Sequence, residues 1–550
     1  MSHPDAPASA LRFDAALPDP SASRLRRFAA LVRQHATPGR SFAAGAGVYL
    51  LLCALSFFAV RPTTLLYFTD YWEHRAILDE VMRGGTRLLD PIYGEAASSR
   101  QYTPWSLALG TLARLGHLDA DTAMACGAMA VSVLFVIGVH AFARAWVPHR
   151  WAPPLLLAAL TCAWGLPALI WTGFYDFRSQ LHGNYYPASL VFALTFIAWA
   201  GVLRLLRSDT PGVADAALLW AVVAGSVITH PLNAAFLVAG AAAFVAFEPG
   251  VALPRRAVVM LVIAAGIAST IAWPWFNPLS LAGAGLARGQ ATFNNFAFFY
   301  DPQFVVAQAW PAMFALLGFP ALARQRSMRV AAVALGVIFL AYVAGGIADV
   351  SVSHRLLPYI VLALHLLLVK AVLDTIDGHS PGLLARLTPR AWRGVAAVAG
   401  LLGLCQVAMA AQQLADPWAV THYPYPVHSV DAETSRAVAT LPPGARVLGW
   451  DSAALVMPAH GVLVAAFPRP MPLSPSDSAR QADYRRFFAP GTPTCERLAI
   501  ARRRHATHIA WLTIELDDRV QQELRAFGPA AAPAEPWRIV PVPPPGATNC

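Results

Sequence analysis

The stretch Thr69-Asp70-Tyr71-Trp72-Glu73-His74-Arg75-Ala76-Ile77-Leu78-Asp79-Glu80-Val81-Met82-Arg83-Gly84-Gly85 lies just beyond an apolar run over 41–60. That run is long enough to cross a bilayer, which takes about 20 helical residues at about 1.5 Å each. The charged stretch after it has a helical period and stops at Gly84-Gly85. On a helix, residues i, i+3 and i+4 share a face, so Asp70, Glu73 and His74 point one way. Asp70 and Glu73 also have the spacing of a capping box. A chemical role and a helix-capping role are both open at Asp70.

Working outward, further apolar runs cover 122–142, 151–172, 187–206, 214–229, 234–247, 257–276, 304–323, 330–347, 356–373 and 394–411, eleven with the first. Composition agrees: 57% of the 550 residues are hydrophobic, 13% are charged, and mean hydropathy is +0.49. Soluble domains carry about 25% charged residues, and disordered chains carry more charge and less apolar bulk. The fifth and sixth runs meet at Thr229-His230-Pro231, as a tight helical pair would.

The net charge of +10 and pI near 9.6 would suggest nucleic acid in a soluble protein. Here the basic residues collect on alternate segments. Arg12, Arg24, Arg26, Arg27, Arg33 and Arg40 precede the first run; Arg144 with Arg150, Arg204 with Arg207, Arg255 with Arg256, and Arg324, Arg326 and Arg329 recur at every second connection. Lys370, Arg386, Arg390 and Arg393 close the series. Positive segments stay in the cytoplasm. The charge is therefore a record of orientation, and no nucleic-acid partner is implied. Residues 1–40 form a cytoplasmic basic segment, 41–411 a transmembrane domain, and 61–121 its first outside loop.

After residue 411 the pattern changes. Strand-like runs at 446–450, 462–467, 507–513 and 537–542 alternate with helix-like pieces at 479–488, 495–504 and 517–527. Residues 412–550 thus read as an outside α/β domain. Cys495 and Cys550 both fall there, where a disulfide between them is compatible with an oxidising compartment. The expected fold is an α-helical polytopic membrane protein of about eleven transmembrane helices with a C-terminal extracytoplasmic α/β domain.

Downstream of the first quoted stretch come Asp90-Pro91, Tyr93-Gly94 and Tyr102-Thr103-Pro104-Trp105-Ser106-Leu107, which lead into a second short apolar helix. With these residues the sequence resembles the GT-C superfamily of integral-membrane glycosyltransferases, whose members include protein O-mannosyltransferases and the aminoarabinose transferase of lipid A. In that family an acid just beyond the first span sits on an interfacial helix, and a Pro-containing loop and second interfacial helix follow. The resemblance implies a sugar on a polyprenyl phosphate as donor, transfer with inversion, and placement in a bacterial inner membrane with the C-terminal domain in the periplasm. Membrane lipid and a glycan, lipid or protein acceptor would be the other partners.

The resemblance assigns Asp70, with Glu73, as the catalytic carboxylates. The chain departs from the family at Tyr71, where many members carry a second adjacent acid, which leaves open whether one carboxylate does the work or two share it. A leaving lipid phosphate needs fixed cations, and the planar guanidinium suits its oxygens. Arg355 and the adjacent His354, at the outer edge of a span, and Arg178, beside Asp176, are candidates; His230, His74 and Tyr102 complete the substrate-binding set. Each has a plainer reading: Arg355 as an interfacial anchor, Arg178 as the partner of Asp176, and His230 as the closure of a helical hairpin. The aromatic loop 294–301 reads as an interfacial belt.

No GxxxxGK[ST], GxGxxG after a strand, HExxH or GxSxG pattern occurs, so phosphate-loop and zinc-protease chemistry have no support. No resident metal or cofactor is assigned, although Asp70, Glu73 and His74 have the chemistry to hold a divalent cation. Two other functions fit the architecture: a transporter or flippase of lipid-linked material, and a non-catalytic scaffold of the same fold. A transporter would want charge near mid-membrane, and these runs have almost none.

Overall fold

The computed structural model describes residues 37–60, 70–84, 88–95, 99–166, 169–171, 173–210, 212–278, 281, 296–350, 352–415, 430–469, 471, 473–474, 476–513, 515–529, 532–534 and 537–544. Its first helix, α1 (Pro38–Ala54), is capped at Thr37 and runs on as a π-helical turn to Val60. Two short helices follow, α2 (Tyr71–Arg83) and α3 (Pro104–Leu115). α2 stops where expected: Gly84 adopts φ +68°, a left-handed conformation that costs glycine little. α3 starts on a Thr103–Ser106 capping box with Pro104 in the first turn.

The centre of the bundle is α4 (Ala120–Trp146) packed on α7 (Pro187–Arg207). Gly138 allows their close approach, since a Cβ there would sit 2.9 Å from the Ala193 carbonyl oxygen. Between them in sequence lie α5 (Ala152–Cys162) and α6 (Phe177–Gly183). The bundle continues with α8 (Val213–Thr229), α9 (Pro231–Phe247), α10 (Leu253–Ser269), α11 (Pro302–Met313), α12 (Phe319–Arg324), α13 (Arg329–Ile347), α14 (Leu357–Ile376) and α15 (Pro389–Ala415). α7 and α14 are mostly buried, whereas α13 and α15 turn Val337, Phe339, Leu340, Leu401 and Leu404 outward. Outward apolar side chains on spanning helices suit lipid.

Among the described residues, eight helices are long and apolar enough to cross a membrane, and α5, α8 and α9 are shorter apolar helices. The expected run over 151–172 is corrected: its helix ends at Cys162. The chain beyond it leaves the helix because other groups take over its backbone bonds. Trp164 donates from its ring to Leu160, the Gly165 N–H donates to Gln308, and the Gln406 side chain donates to the Trp164 carbonyl. Irregular backbone at membrane depth is tolerated only when served in this way. α8 and α9 do form a tight pair, joined at His230.

Beyond α16 (Val430–Val438) the chain builds a five-stranded sheet of order β2-β1-β3-β5-β4. Strands β1 (Arg446–Gly449), β2 (Leu463–Val464) and β3 (His508–Leu512) are parallel, and β5 (Trp537–Pro541) pairs antiparallel with β3 and β4 (Ala532–Ala534). Helices α17 (Ser452–Val456), α18 (Asp477–Phe488), α19 (Thr494–Arg503) and α20 (Asp518–Arg525) connect the strands. Cys495 is disulfide-bonded, and Cys550 lies outside the described residues. Arg503 and Arg504 pair with Asp483, so the arginine run at 502–504 is a paired helix face.

The sheet region docks on the first loop. The Val464 N–H donates to the Ile92 carbonyl at 2.8 Å, extending β2, and the Arg480 guanidinium lies 4.3 Å from the Tyr93 ring centroid while pairing with Glu95. His460 packs on Trp72 of α2.

Candidate active site

α2 carries the first side chains. Asp70 sits at its start, exposed, with φ −62° and ψ −4°. That is already a helical conformation, so the carboxylate does not fold back as a cap, and the capping reading is corrected: its side chain makes no cap hydrogen bond. Its partner is the guanidinium of Arg469, from the segment after β2. One turn on, Glu73 is 2% exposed and accepts from the Gln101 side chain at 2.9 Å, with Arg100 at 3.9 Å.

His74 lies edge-on to Tyr186 at 5.7 Å. Burial brings it down to about 4, with Arg100 lowering it further and Glu73 opposing, so it is a neutral ring at neutral pH. His230 caps α9: its Nδ1 accepts the Asn233 N–H at 3.3 Å, so a neutral ring carries its proton on Nε2. Burial holds His230 well below the ordinary histidine range, and Arg355, His74 and Arg100 reinforce the effect. His230 therefore closes the hairpin through Nδ1 and keeps its Nε2–H as a donor.

Arg355 lies in the 3-10 turn Ser353–Leu356 that leads into α14, exposed, and within electrostatic reach of Arg100. Glu73, His74, His230 and Arg355 thus converge through Arg100, with Asp70 a turn away on α2. Two guanidiniums and two neutral imidazoles gather around the buried Glu73 carboxylate, and guanidinium forks and ring N–H groups are the donors that suit phosphate oxygens.

Other expected residues lie elsewhere. Arg178 is buried on α6 beside Asp176, whose carboxylate accepts the Arg178 and Ser179 backbone N–H groups, and His182 of that helix meets Gln413. The His354 ring sits 5.3 Å from Phe299 and 6.0 Å from Trp171. The Tyr102 hydroxyl donates to the Leu89 carbonyl and its ring packs on Trp275, which ties the loop before α3. Asn294 and Asn295 lie outside the described residues, while Phe299 is buried against Trp171 and Phe304 rather than in a surface belt. Among the described residues no group of three or more His, Cys, Asp or Glu is placed to hold a metal ion.

Arg100 and Arg469 were not expected. Arg100 stands two residues before Tyr102, just ahead of the Thr103-Pro104 helix start, and its spacing names no partner. Arg469 stands between Pro468 and Pro470, a spacing that fixes backbone but names no partner.

No family model matches the chain, and no curated protein sequence does. Among solved structures it is similar to the arabinofuranosyltransferase AftD from Mycobacteria, with TM-score 0.54 and 18% identity over 87% of this chain and 37% of that one. It is also similar to ArnT from Cupriavidus metallidurans bound to undecaprenyl phosphate, at TM-score 0.52 and 13% identity over 91% and 98% of the two chains. An Archaeoglobus fulgidus oligosaccharyltransferase tethered with an acceptor peptide matches at TM-score 0.53 and 11% identity, over 86% and 68%. All three are GT-C membrane glycosyltransferases, and this chain has their fold. It spans 37% of the length of the AftD chain.

Proposed function

We propose that this GT-C-fold protein is a membrane glycosyltransferase that moves a sugar from a polyprenyl phosphate to an extracytoplasmic acceptor. The observation that carries the reading is the convergence of Glu73, His74, Arg100, His230 and Arg355 next to Asp70, where the short helix α2 meets the ends of the spans. A lipid-borne donor and a water-borne acceptor can meet only at such a surface.

In this reading Asp70 takes the proton of the acceptor hydroxyl as its oxygen attacks the anomeric carbon. The new glycosidic bond forms on the face opposite the breaking bond to the phosphate oxygen. The electron pair leaves with the lipid phosphate, whose charge Arg100, Arg355 and the Nε2–H of His230 receive. Positioned proton transfer contributes about 10²–10⁴-fold, and preorganised donors toward the leaving anion contribute comparably. Glu73, buried and already bonded to Gln101, orients Arg100. The reading places 1–40 in the cytoplasm and 412–550 in the periplasm of a bacterial inner membrane, following the arginine distribution.

The test is a comparison of cell-envelope glycans by mass spectrometry in a deletion strain and the same strain carrying the wild-type gene. One sugar should disappear from a lipid, polysaccharide or protein and return on complementation. Identical glycan profiles in both strains would overturn the reading.

A further inference from the structure

Asp70 is exposed at the start of α2, and its ion-pair partner comes from the other end of the chain. Arg469 is delivered by the segment that follows β2. Phe467 and Met471 on either side of it are buried in one cluster with Ile92, Tyr93, Leu455 and Val464. Pro468 and Pro470 flank it in sequence and restrict its backbone. The Met471 N–H donates to Asp477 at 2.9 Å, and β2 just upstream is hydrogen-bonded to Ile92 of the first loop. The arginine is therefore held by both halves of the molecule. Burial brings its guanidinium down only to about 10, so it is charged at neutral pH.

We propose that Arg469 is a positioning residue for Asp70: the extramembrane domain orients that carboxylate and keeps it ionised, so a proton acceptor of the membrane domain is completed by the sheet domain. This rests on the role given to Asp70 above. A guanidinium favours the charged form of a carboxylate beside it. Other charged or titratable groups on α2 and the elements that meet it are Glu73, His74 and Arg75 on α2 itself, Arg100 before α3, Asp121 on α4 and His460 from the segment after α17, with His230 and Arg355 in electrostatic reach of Arg100. Arg100 faces Glu73 and Arg75 faces Asp121, whereas Arg469 faces Asp70.

The experiment needs no substrate. Purified full-length protein is treated with a water-soluble carbodiimide and glycine ethyl ester across pH 4–8, and modification of Asp70 is followed by peptide mass spectrometry. Carbodiimide attacks the protonated carboxyl, so the midpoint reports its ionisation. Arg469→Gln and Arg469→Met should each raise the midpoint by about one pH unit, or about tenfold in rate at fixed pH. Arg469→Lys should restore most of the wild-type behaviour, and Arg486→Gln, which removes a charge paired with Glu496 on the same domain, should not move it. An unchanged midpoint in both charge-removing variants, or an equal shift in Arg486→Gln, would overturn the proposal. The same variants scored for glycan product separate the two claims. A labelling shift with no effect of Asp70→Asn on product would overturn the base role given to Asp70 and leave the pairing in place.

Discussion

At the scale of single residues, the candidate site is a balance between groups that hold charge and groups that are denied it. Arg100 and Arg355 keep like charges close together, which is favourable only when an anion sits between them or a carboxylate such as Glu73 lies beside them. Arg100→Gln and Arg355→Gln should therefore each weaken binding of undecaprenyl phosphate to the purified protein in nanodiscs. A charge-assisted hydrogen bond contributes about 1.5–3 kcal/mol, so about tenfold or more per arginine is expected by native mass spectrometry. Unchanged affinity in both variants would remove the arginines from the phosphate site. The arginines differ in how visible they were. Arg355 could be read from its sequence because a cation at the edge of an apolar run stands out. Arg100 and Arg469 could not, because the carboxylate each one faces is brought to it by folding.

At the scale of elements, α2 and the loop after it were legible, and their environment was not. The period and the glycine stop are local, so the helix and its end followed from the residues alone. Gly84→Ala should lower the thermal midpoint, since its φ of +68° costs a residue with a Cβ about 1–2 kcal/mol and the added carbon meets the Arg114 side chain. A midpoint equal to wild type would contradict that account. The run over 151–172 misled because hydropathy counts apolar side chains, whereas the helix end was decided by backbone partners on Gln308 and Gln406. β4 carries only Ala-Pro-Ala and has no alternation to read.

The loop before α3 supplies a pH test. Asp90 is buried and accepts the Ile92 N–H at 2.9 Å, and burial raises it to about 6. Between its ordinary value near 4 and about 6 the folded state holds a proton that the unfolded state has lost, so this group costs stability progressively as pH rises through that window. Asp90→Asn keeps the acceptor and cannot ionise. Its thermal midpoint should match wild type near pH 4 and exceed it above pH 6. A difference that shrank with rising pH would contradict the sign.

At the scale of the whole molecule, the sheet region is packed against the first loop and α2. β2 is extended by Ile92, Tyr93 lies against Arg480, and Trp72 of α2 is covered by His460. The alternation of strands and helices after residue 430 was readable, as was the membrane pattern before it. Their contact was not, because hydropathy says which face is buried and not against what. Arg480→Gln, which breaks the pair with Glu95, should loosen the docking and raise carbodiimide labelling of Asp70 as well. Labelling unchanged from wild type would show that docking and the Asp70 environment are independent.

The central claim, that Asp70 is the proton acceptor of a glycosyl transfer, is tested most directly by Asp70→Asn in the deletion strain. Asparagine keeps the shape and loses the basicity. The variant should be inserted at wild-type level and bind undecaprenyl phosphate, yet yield none of the glycan product that wild type restores. Wild-type product from a well-expressed Asp70→Asn protein would contradict the account.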